Sequence, residues 1–474
     1  MILRAFLLLA LLCVPRVLAQ ALPDLGDVSA TAISLGDERR LGERIMAEIR
    51  RDSNYLDDAE VSDYVNALGS RLAAHSDSPR QEFEFFAVRD PQINAFALPG
   101  GFIGLHTGLL QSAQSESEVA GVVAHEIAHV TQRHIARMIG QQSQNQLLSI
   151  AALAVAILAA RSNSQISEAA LAFGQAGVIQ SQLNFSRDAE READRLGLQM
   201  LEAAGFDPRG MGSFFERLQR ATRIYEGGAP SYLRTHPLTF ERIGDIQNRV
   251  ERMPYRQVAD SLDFHLVRAK LRAEQDAPRD AVVFFETGLR ERKFLSEAAA
   301  RYGLVASLLR LRDLERARVE LVALRKTQHP MIEHLACRCH EAGGDSKLAL
   351  ACFEQARRLY PGQRALLLGH IEQLLRARQP AEALQLIETG LKAAGSGEAR
   401  LYRLQAEAHA AQGNLLLHHR ALGEAYARSG ALGAAMHQFE LALKNGKGDF
   451  FQLSAVEARL RELRRQQLEQ DRKK

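Results

Sequence analysis

Two histidines four residues apart, with a glutamate directly after the first, constrain this chain more than any other feature. His125, Glu126 and His129 stand in an apolar stretch that predicts one helix from about Ser115 to beyond Met138. Residues i and i+4 share a helical face, so both imidazoles can reach one ion. The glutamate lies about 100° further around the helix, where a carboxylate sits beside a metal rather than on it.

This arrangement suits a hydrolytic zinc site, in which imidazoles hold the ion and a carboxylate takes a proton from bound water. The apolar neighbours would bury the helix and hold the ligands rigid. They are Val122, Val123, Ile127, Ala128 and Val130. The alternative is a core helix with two satisfied histidines and a surface glutamate, because so short a motif recurs by accident.

The third ligand decides between these interpretations. One common continuation places a glycine and a third histidine at fixed offsets downstream, where this chain has Gln132 and Ile135, so that subclass is excluded. His134 would lie half a turn from the metal face of an unbroken helix, as an ordinary polar residue.

A glutamate from a second helix is the other solution. Glu190 and Asp194 share a face at i and i+4. Glu190 can bind zinc while Asp194 accepts a hydrogen bond from the free ring nitrogen of a ligating histidine. The alternative is a solvated charged helix whose acids pair with neighbouring arginines. Those arginines are Arg187, Arg191 and Arg195.

Together the two motifs resemble the gluzincin metallopeptidases related to HtpX and the CAAX prenyl endopeptidases. The chain is most similar to a periplasmic branch in which a soluble peptidase precedes tetratricopeptide repeats. The resemblance implies one Zn²⁺ per chain, bound by His125, His129 and Glu190. It implies Glu126 as general base, with Asp194 supporting a ligand.

The first residues predict an exported protein. An arginine precedes an apolar run of ten residues from Ala5 to Val14, too short to span a bilayer, and the small residues near Ala19 predict cleavage before Gln20. The full chain has 60 Lys and Arg against 57 Asp and Glu. The leader holds Arg4, Arg16 and Cys13, so its removal takes away two positive charges and leaves the mature protein with one net positive charge. That balance gives no electrostatic case for nucleic acid.

Three cysteines remain in the mature chain, and an odd number permits one disulfide and leaves one thiol. A bridge would join Cys352 to either Cys337 or Cys339.

Between the leader and the metal helix, the pattern predicts helices at Leu35–Arg51 and Val61–His75, then a strand near residues 83–88. Pro99-Gly100-Gly101 predicts a tight turn between two short strands, the second leading directly into the metal helix. This hairpin is either an ordinary part of a small sheet or an edge that pairs with an extended substrate. The family resemblance favours the edge.

A largely apolar stretch at residues 147–160 separates the two ligand helices. It is too short to cross a membrane. It is either a buried helix of the peptidase core or a lid that makes peripheral contact with a membrane or with unfolded substrate.

His236 precedes Pro237 and is therefore held extended and outside a helix, on a loop. It could donate to the oxyanion of the tetrahedral intermediate, or occupy the fourth zinc position and hold the enzyme inactive. We take the regulatory ligand as our hypothesis; a helix-capping histidine is the alternative. Tyr232 is a weaker oxyanion candidate, and Arg242 is expected to pair with a core acid.

The remainder is rich in alanine and leucine, and four alanines recur at spacings of 36, 32 and 34 residues. They are Ala281, Ala317, Ala349 and Ala383. This period predicts tetratricopeptide-type helix pairs stacked into a solenoid that docks peptides or partners.

The predicted fold is therefore mainly α with a small β-sheet. A leader at 1–19 precedes a metallopeptidase domain at 20–255 and a repeat domain at 256–474. The favoured function is a periplasmic zinc endopeptidase, and by resemblance its partners are unfolded or misassembled outer-membrane proteins and their assembly machinery. The alternative is a non-proteolytic chaperone or scaffold with a structural metal site, against which an intact Glu126 argues.

Overall fold

The computed structural model describes residues 33–140, 186–224, 232–233, 236–393, 398–445 and 450–471. The predicted leader at 1–19 and the apolar stretch at 147–160 lie outside these residues. Among the helices within them, none combines the length and apolar character needed to span a bilayer.

The part of the chain that carries the two motifs is mainly helical, as predicted. Its helices are α1 (Leu35–Ile49), α2 (Ala59–Ala73), α3 (Thr107–Ser112), α4 (Glu116–Thr131), α5 (His134–Gly140), α6 (Arg187–Ala203), α7 (Arg209–Ile224) and α8 (Phe240–Glu251). Its strands are β1 (Glu84–Val88), β2 (Ala95–Leu98) and β3 (Phe102–His106). The helices predicted near residues 35–51 and 61–75 are α1 and α2.

The three strands form one small sheet in the order β1-β3-β2. β2 and β3 are antiparallel, and the predicted turn joins them through Gly100 and Gly101, whose φ angles of 79° and 90° favour glycine. β1 pairs with β3 in parallel. The second strand of the hairpin is therefore central, with both sides occupied, and β1 and β2 are the two outer strands of the sheet. The short helix α3 also separates β3 from α4, so the predicted direct connection is wrong.

Helix α4 is the buried centre of this region. The Ser115 side chain accepts a hydrogen bond from the Glu118 N–H, which caps the first turn. Nearly every side chain from Glu116 to Val130 is buried, because α2, α6, α7 and the sheet surround the helix.

The prediction that this helix runs past Met138 is wrong. It ends at Thr131, and Arg133 adopts a left-handed backbone with φ of 53°, after which α5 begins at His134. Arg133 is held there by its side chain, which donates to Glu38 Oε1 and the Ile33 carbonyl. This tertiary anchoring outweighs the cost of a left-handed non-glycine residue.

Helix α6 packs closely along α4. A Cβ atom added at Gly197 would lie 3.2 Å from the backbone nitrogen of His125 and 2.9 Å from Met211 Cε, so a larger residue would require Met211 to move and the two helices to separate slightly. Ser186 caps the start of α6 and Gly205, with φ of 80°, follows its end. The close packing brings the acidic face of α6 against the histidines of α4.

Helices of similar length follow from residue 262 onward. They are α9 (Leu262–Gln275), α10 (Pro278–Glu291), α11 (Glu297–Arg310), α12 (Leu314–Leu324), α13 (Pro330–Ala342), α14 (Ser346–Leu359), α15 (Arg364–Arg376), α16 (Pro380–Ala393), α17 (Ala399–Ala411), α18 (Leu415–Arg428), α19 (Leu432–Lys444) and α20 (Phe450–Asp471). The four periodic alanines all lie buried near the start of every second helix, from α10 to α16. The helix-pair period is thus present, while the tetratricopeptide assignment stays a prediction.

One continuous core joins the two halves of the chain, extending from Leu56 on the N-terminal side to Cys339 in α13. Polar contacts accompany it: Glu60 of α2 contacts Lys270 of α9 and His334 of α13. A disulfide joins Cys337 to Cys352 and leaves Cys339 as a buried thiol. The one bridge that the cysteine count permits is thus present, and Cys337 is the partner of Cys352.

Candidate metal centre

Three side chains from two helices converge where α4 and α6 pack together. His125 Nε2 lies 3.0 Å from His129 Nε2. Glu190 Oε2 lies 3.5 Å from His125 Nε2, and Glu190 Oε1 lies 3.4 Å from His129 Nε2. All three side chains are fully buried. The structure thus brings together the three residues that the sequence analysis predicts as zinc ligands.

His236 completes the group from a loop before α8. Its Nδ1 lies 3.0 Å from Glu190 Oε1 and 3.4 Å from His125 Nε2. One donor atom from each of the four residues lies within 4.8 Å of the others. Ligands bound tetrahedrally to zinc at about 2.0–2.1 Å lie about 3.3 Å apart, so the spacing and the nitrogen and oxygen donors fit this ion.

Glu126 lies beside this group on α4, with Oε1 at 3.4 Å from His236 Nε2. The side chain is fully buried, yet among the described residues neither carboxylate oxygen accepts a hydrogen bond of good geometry. Burial raises the pKa of Glu126, against the opposing attraction of His236 and His125. An unsatisfied buried carboxylate is costly in a structural role, and it is suited to holding a water molecule or a proton.

Asp194 contacts the His125 ring on the side that faces away from the cluster. Its Oδ1 lies 3.0 Å from His125 Nδ1, the ring nitrogen opposite the one that faces the cluster. Burial alone would lower the pKa of His125, but hydrogen bonds to Asp194 and Glu190 outweigh it and raise the pKa to about 9. When the ring is neutral, as metal binding through Nε2 requires, this contact keeps its proton on Nδ1 and orients the ring.

Arg242 of α8 neutralises this pair of acids. Its guanidinium donates to both oxygens of Asp194 at 2.7 and 2.8 Å, and Nη1 lies 2.6 Å from Glu190 Oε2. Burial would raise the pKa of Asp194, but the hydrogen bond from Arg242 more than offsets this and lowers it. The prediction that Arg242 pairs with a core acid is confirmed.

The loop that carries His236 is anchored at several points. The Tyr232 ring stacks on the His236 ring with centroids 4.6 Å apart, and the His236 N–H donates to the Tyr232 carbonyl. The Tyr232 N–H donates to the Ile93 carbonyl, just before β2, while the Pro237 carbonyl accepts from Arg242. These contacts hold His236 over the cluster. The preceding Thr235 lies outside the described residues.

His134 is not the ordinary polar residue that an unbroken helix predicts. Because the chain turns at Arg133, the His134 ring is buried, and its Nδ1 lies 2.8 Å from His129 Nδ1. The sequence signal for this contact was a third histidine five residues after His129, but no turn residue marks the break.

Similarity to known proteins agrees with this geometry. A model of the family described as Peptidase family M48 matches residues 59–250. The beta-barrel assembly-enhancing protease of Escherichia coli strain K12 is 31% identical over 457 residues, covering 95% of this chain and 92% of that protein. A protein named putative beta-barrel assembly-enhancing protease, from Vibrio cholerae, is 39% identical over 310 residues, which cover 65% of this chain and 64% of that protein. The mitochondrial metalloendopeptidase OMA1 of Schizosaccharomyces pombe is 35% identical over 198 residues, covering 41% of this chain and 54% of that protein.

Proposed function

This chain belongs to peptidase family M48 and is a metallopeptidase, and from that premise we propose that it is a zinc-dependent endopeptidase of the periplasm that acts on misassembled outer-membrane proteins. The observation that carries the proposal is the placement of Glu126, a buried carboxylate with no hydrogen bond of good geometry among the described residues, beside the convergent His125, His129 and Glu190. A purely structural metal site needs no such base.

His125, His129 and Glu190 would hold the ion, one per chain. When bound, zinc supplies Lewis-acid polarisation of the scissile carbonyl and of a water molecule. Glu126 accepts the proton of that water at a carboxylate oxygen and passes it to the leaving amine. Burial raises its pKa, which favours the protonated carboxyl group that then donates to the amine. Asp194 keeps the His125 ring oriented throughout.

His236 has two roles open to it in this mechanism. Its Nδ1 lies among the donor atoms of the cluster, which supports a fourth ligand that holds the enzyme at rest. Its Nε2 lies 3.4 Å from Glu126, so the ring also covers the general base. As the alternative role, a displaced His236 would donate a hydrogen bond to the oxyanion. We propose the regulatory ligand as the resting arrangement.

The two domains would divide the work. Residues 20–255 would form the peptidase domain, and the tetratricopeptide-type repeats at 256–474 would dock unfolded or misassembled outer-membrane proteins, or the machinery that assembles them. The names of the Escherichia coli and Vibrio cholerae relatives support this substrate class. The leader at 1–19 would direct export, and residues 147–160 would make peripheral membrane contact.

Cleavage of unfolded casein tests the peptidase proposal. We expect the wild-type protein to cleave it, E126Q to be at least about a thousandfold slower, and a chelator to abolish the activity until zinc is restored. E202Q, which alters an exposed glutamate on α6, is the matched control and should behave as wild type. Zinc content has to remain equal in wild type and E126Q. Equal cleavage under all conditions would refute the peptidase.

The alternative is a non-proteolytic chaperone with a structural metal. It predicts that E126Q and wild type suppress aggregation of an unfolded outer-membrane protein equally while neither cleaves it. Crosslinking in cells with E126Q, which is expected to retain bound substrate, would identify which proteins bind to the repeats and at the metal centre. Recovery of outer-membrane proteins would support the proposed substrate class, and their absence would contradict it.

A further inference from the structure

His125 and His129 differ in what contacts Nδ1, the ring nitrogen that faces away from the metal cluster. Asp194 meets the outer nitrogen of His125 directly. The corresponding atom of His129, Nδ1, instead faces a third imidazole, that of His134, at 2.8 Å. His134 lies just 3% exposed, so this contact is shielded from water.

The direction of the hydrogen bonds follows from the proposed zinc site. A histidine that binds zinc through Nε2 carries its proton on Nδ1, so His129 has to donate there. His134 Nδ1 therefore accepts, which places the proton of His134 on Nε2. That atom lies 3.1 Å from Glu192 Oε2, which accepts it. Arg137 Nη1 lies 3.2 Å from the same oxygen and is the last group in this chain of hydrogen bonds.

We propose that His134 is a positioning residue that links the zinc ligand His129 to the carboxylate of Glu192, orienting the ligand and raising its affinity for the metal. This inference rests on the proposed zinc site and adds residues that the ligand motifs do not contain. It gives His129 the support that Asp194 gives His125, with one imidazole inserted between ligand and carboxylate.

The backbone is arranged for this contact. A continuous α-helix would place residue 134 about 140° around the axis from residue 129, with the ring directed away from it. The left-handed conformation of Arg133 instead turns the chain so that α5 starts at His134 and its ring meets His129. Arg133 is anchored by Glu38 in α1, so the turn is fixed by tertiary contacts.

Three acids two residues apart on α6 then share one task. Glu190 approaches the histidines directly, Asp194 contacts His125, and Glu192 reaches His129 through His134. One helix therefore supplies a ligand and the outer partners of both other ligands. A shift of α6 would disturb all three contacts at once.

Metal affinity of the full mature chain tests the role of His134 without any proteolytic assay. We would measure the zinc dissociation constant by competition with a chromogenic chelator, and the visible absorption of the cobalt-substituted protein. H134F keeps the aromatic volume but offers no acceptor, and we expect zinc to bind about 10- to 100-fold more weakly with an altered cobalt spectrum. H134N presents an amide oxygen near the position of Nδ1 and should restore affinity to within about threefold of wild type.

E192Q removes the negative charge of the carboxylate that accepts from His134, and we expect about 3- to 10-fold weaker zinc binding. H75N, at an exposed histidine after α2, and E202Q, at an exposed glutamate on α6, are the matched controls and should equal wild type. Circular dichroism of the chelator-treated proteins shows whether each variant is folded. If H134F does not fold, E192Q carries the test, because its side chain is 32% exposed.

Wild-type zinc affinity and an unchanged cobalt spectrum in folded H134F, or in E192Q where H134F is unfolded, would overturn the inference. Its failure is distinct from failure of the proposed function. A chain whose zinc affinity depends on His134 but which never cleaves casein would refute the peptidase alone. A casein-cleaving enzyme indifferent to His134 would refute only the positioning role.

Discussion

Arg242 donates two parallel hydrogen bonds to Asp194, from Nε at 2.7 Å and from Nη2 at 2.8 Å. This bidentate pair lies 48 residues apart in sequence and is almost entirely buried, with 2% and 3% of the two side chains exposed. Because Asp194 also contacts His125, the arginine acts on the metal centre through the aspartate.

Loss of the guanidinium should therefore affect both stability and metal binding. We expect R242Q to lower the free energy of unfolding by about 3–5 kcal/mol, since it leaves Asp194 and Glu190 buried without their cation. R242K should recover only part of this, because an ammonium group cannot form the fork. R191Q, at a half-exposed arginine on α6, should change stability by less than about 1 kcal/mol. Urea denaturation measures all three, and a wild-type midpoint for R242Q would contradict the prediction.

Replacement of His236 should separate its two proposed roles. As a resting ligand, its loss in H236A should speed removal of zinc by a chelator and raise the basal rate of casein cleavage. An oxyanion donor would instead lower kcat by about 10²–10³ with zinc retention unchanged. We expect the first result. Unchanged zinc affinity and unchanged proteolytic rate together would exclude both roles; H75N serves as the control histidine.

The contact between α2 and α9 should contribute strongly to stability. Lys270 Nζ lies 2.5 Å from Glu60 Oε2 and 2.7 Å from Asp58 Oδ2. Burial would raise the pKa of Glu60, but Lys270 and His334 outweigh it and hold that pKa well below its usual range. K270M should cost about 3–5 kcal/mol, because it strands a buried carboxylate.

A double-mutant cycle checks that explanation. Adding E60Q to K270M should recover a large part of the loss, since the amide carries no charge to strand. E440Q, which removes an exposed ion pair with Arg464, is the control and should cost less than about 1 kcal/mol. Additive effects of E60Q and K270M would show that the two residues are not coupled.

His370 should make stability depend on pH. Burial, reinforced by the nearby Arg357, lowers its pKa to about 4 from an ordinary value of 6.5. The unfolded chain therefore binds a proton as pH falls below about 6.5, while the folded protein does not until about pH 4. The contribution of neutral His370 to the free energy of unfolding is therefore fully present above pH 6.5. It is lost as the pH falls from 6.5 to 4, and below pH 4 no more is lost. The total is about 1–3 kcal/mol.

H370Q should remove that part of the pH dependence. Denaturation midpoints for wild type and H370Q, measured from pH 4 to 7.5, should diverge as the pH rises through this window. H437Q, at an exposed histidine on α19, should keep the wild-type profile. Parallel curves for wild type and H370Q would refute the assignment.

Local pattern was enough to predict much of this molecule. The spacing of His125 and His129 indicated one helical face, and the four periodic alanines indicated the helix pairs in which they lie buried. Glu190 and Asp194 followed from the chemistry that two histidines leave incomplete.

The rest depended on tertiary contacts that no local pattern encodes. The break at Arg133 has no glycine or proline to mark it; the left-handed residue is held by Glu38, 95 positions earlier. His134 and Glu192 were missed for that reason. Glu60 and Lys270 meet across 210 positions. The pairing of β1 with β3 places β3 at the centre of the sheet, which short-range turn signals cannot decide.

The continuous core has a consequence for how such proteins diverge. Glu60 and Asp63 on one helix are matched by Lys270, His334 and Arg364 on three helices of the C-terminal half. Recombination that brought in a repeat array from another lineage would leave these charges mismatched, and Glu60 would lose its partner in a buried position. Descendants should therefore inherit the two halves together, and substitutions on α2 should be accompanied by compensating changes more than 200 residues away.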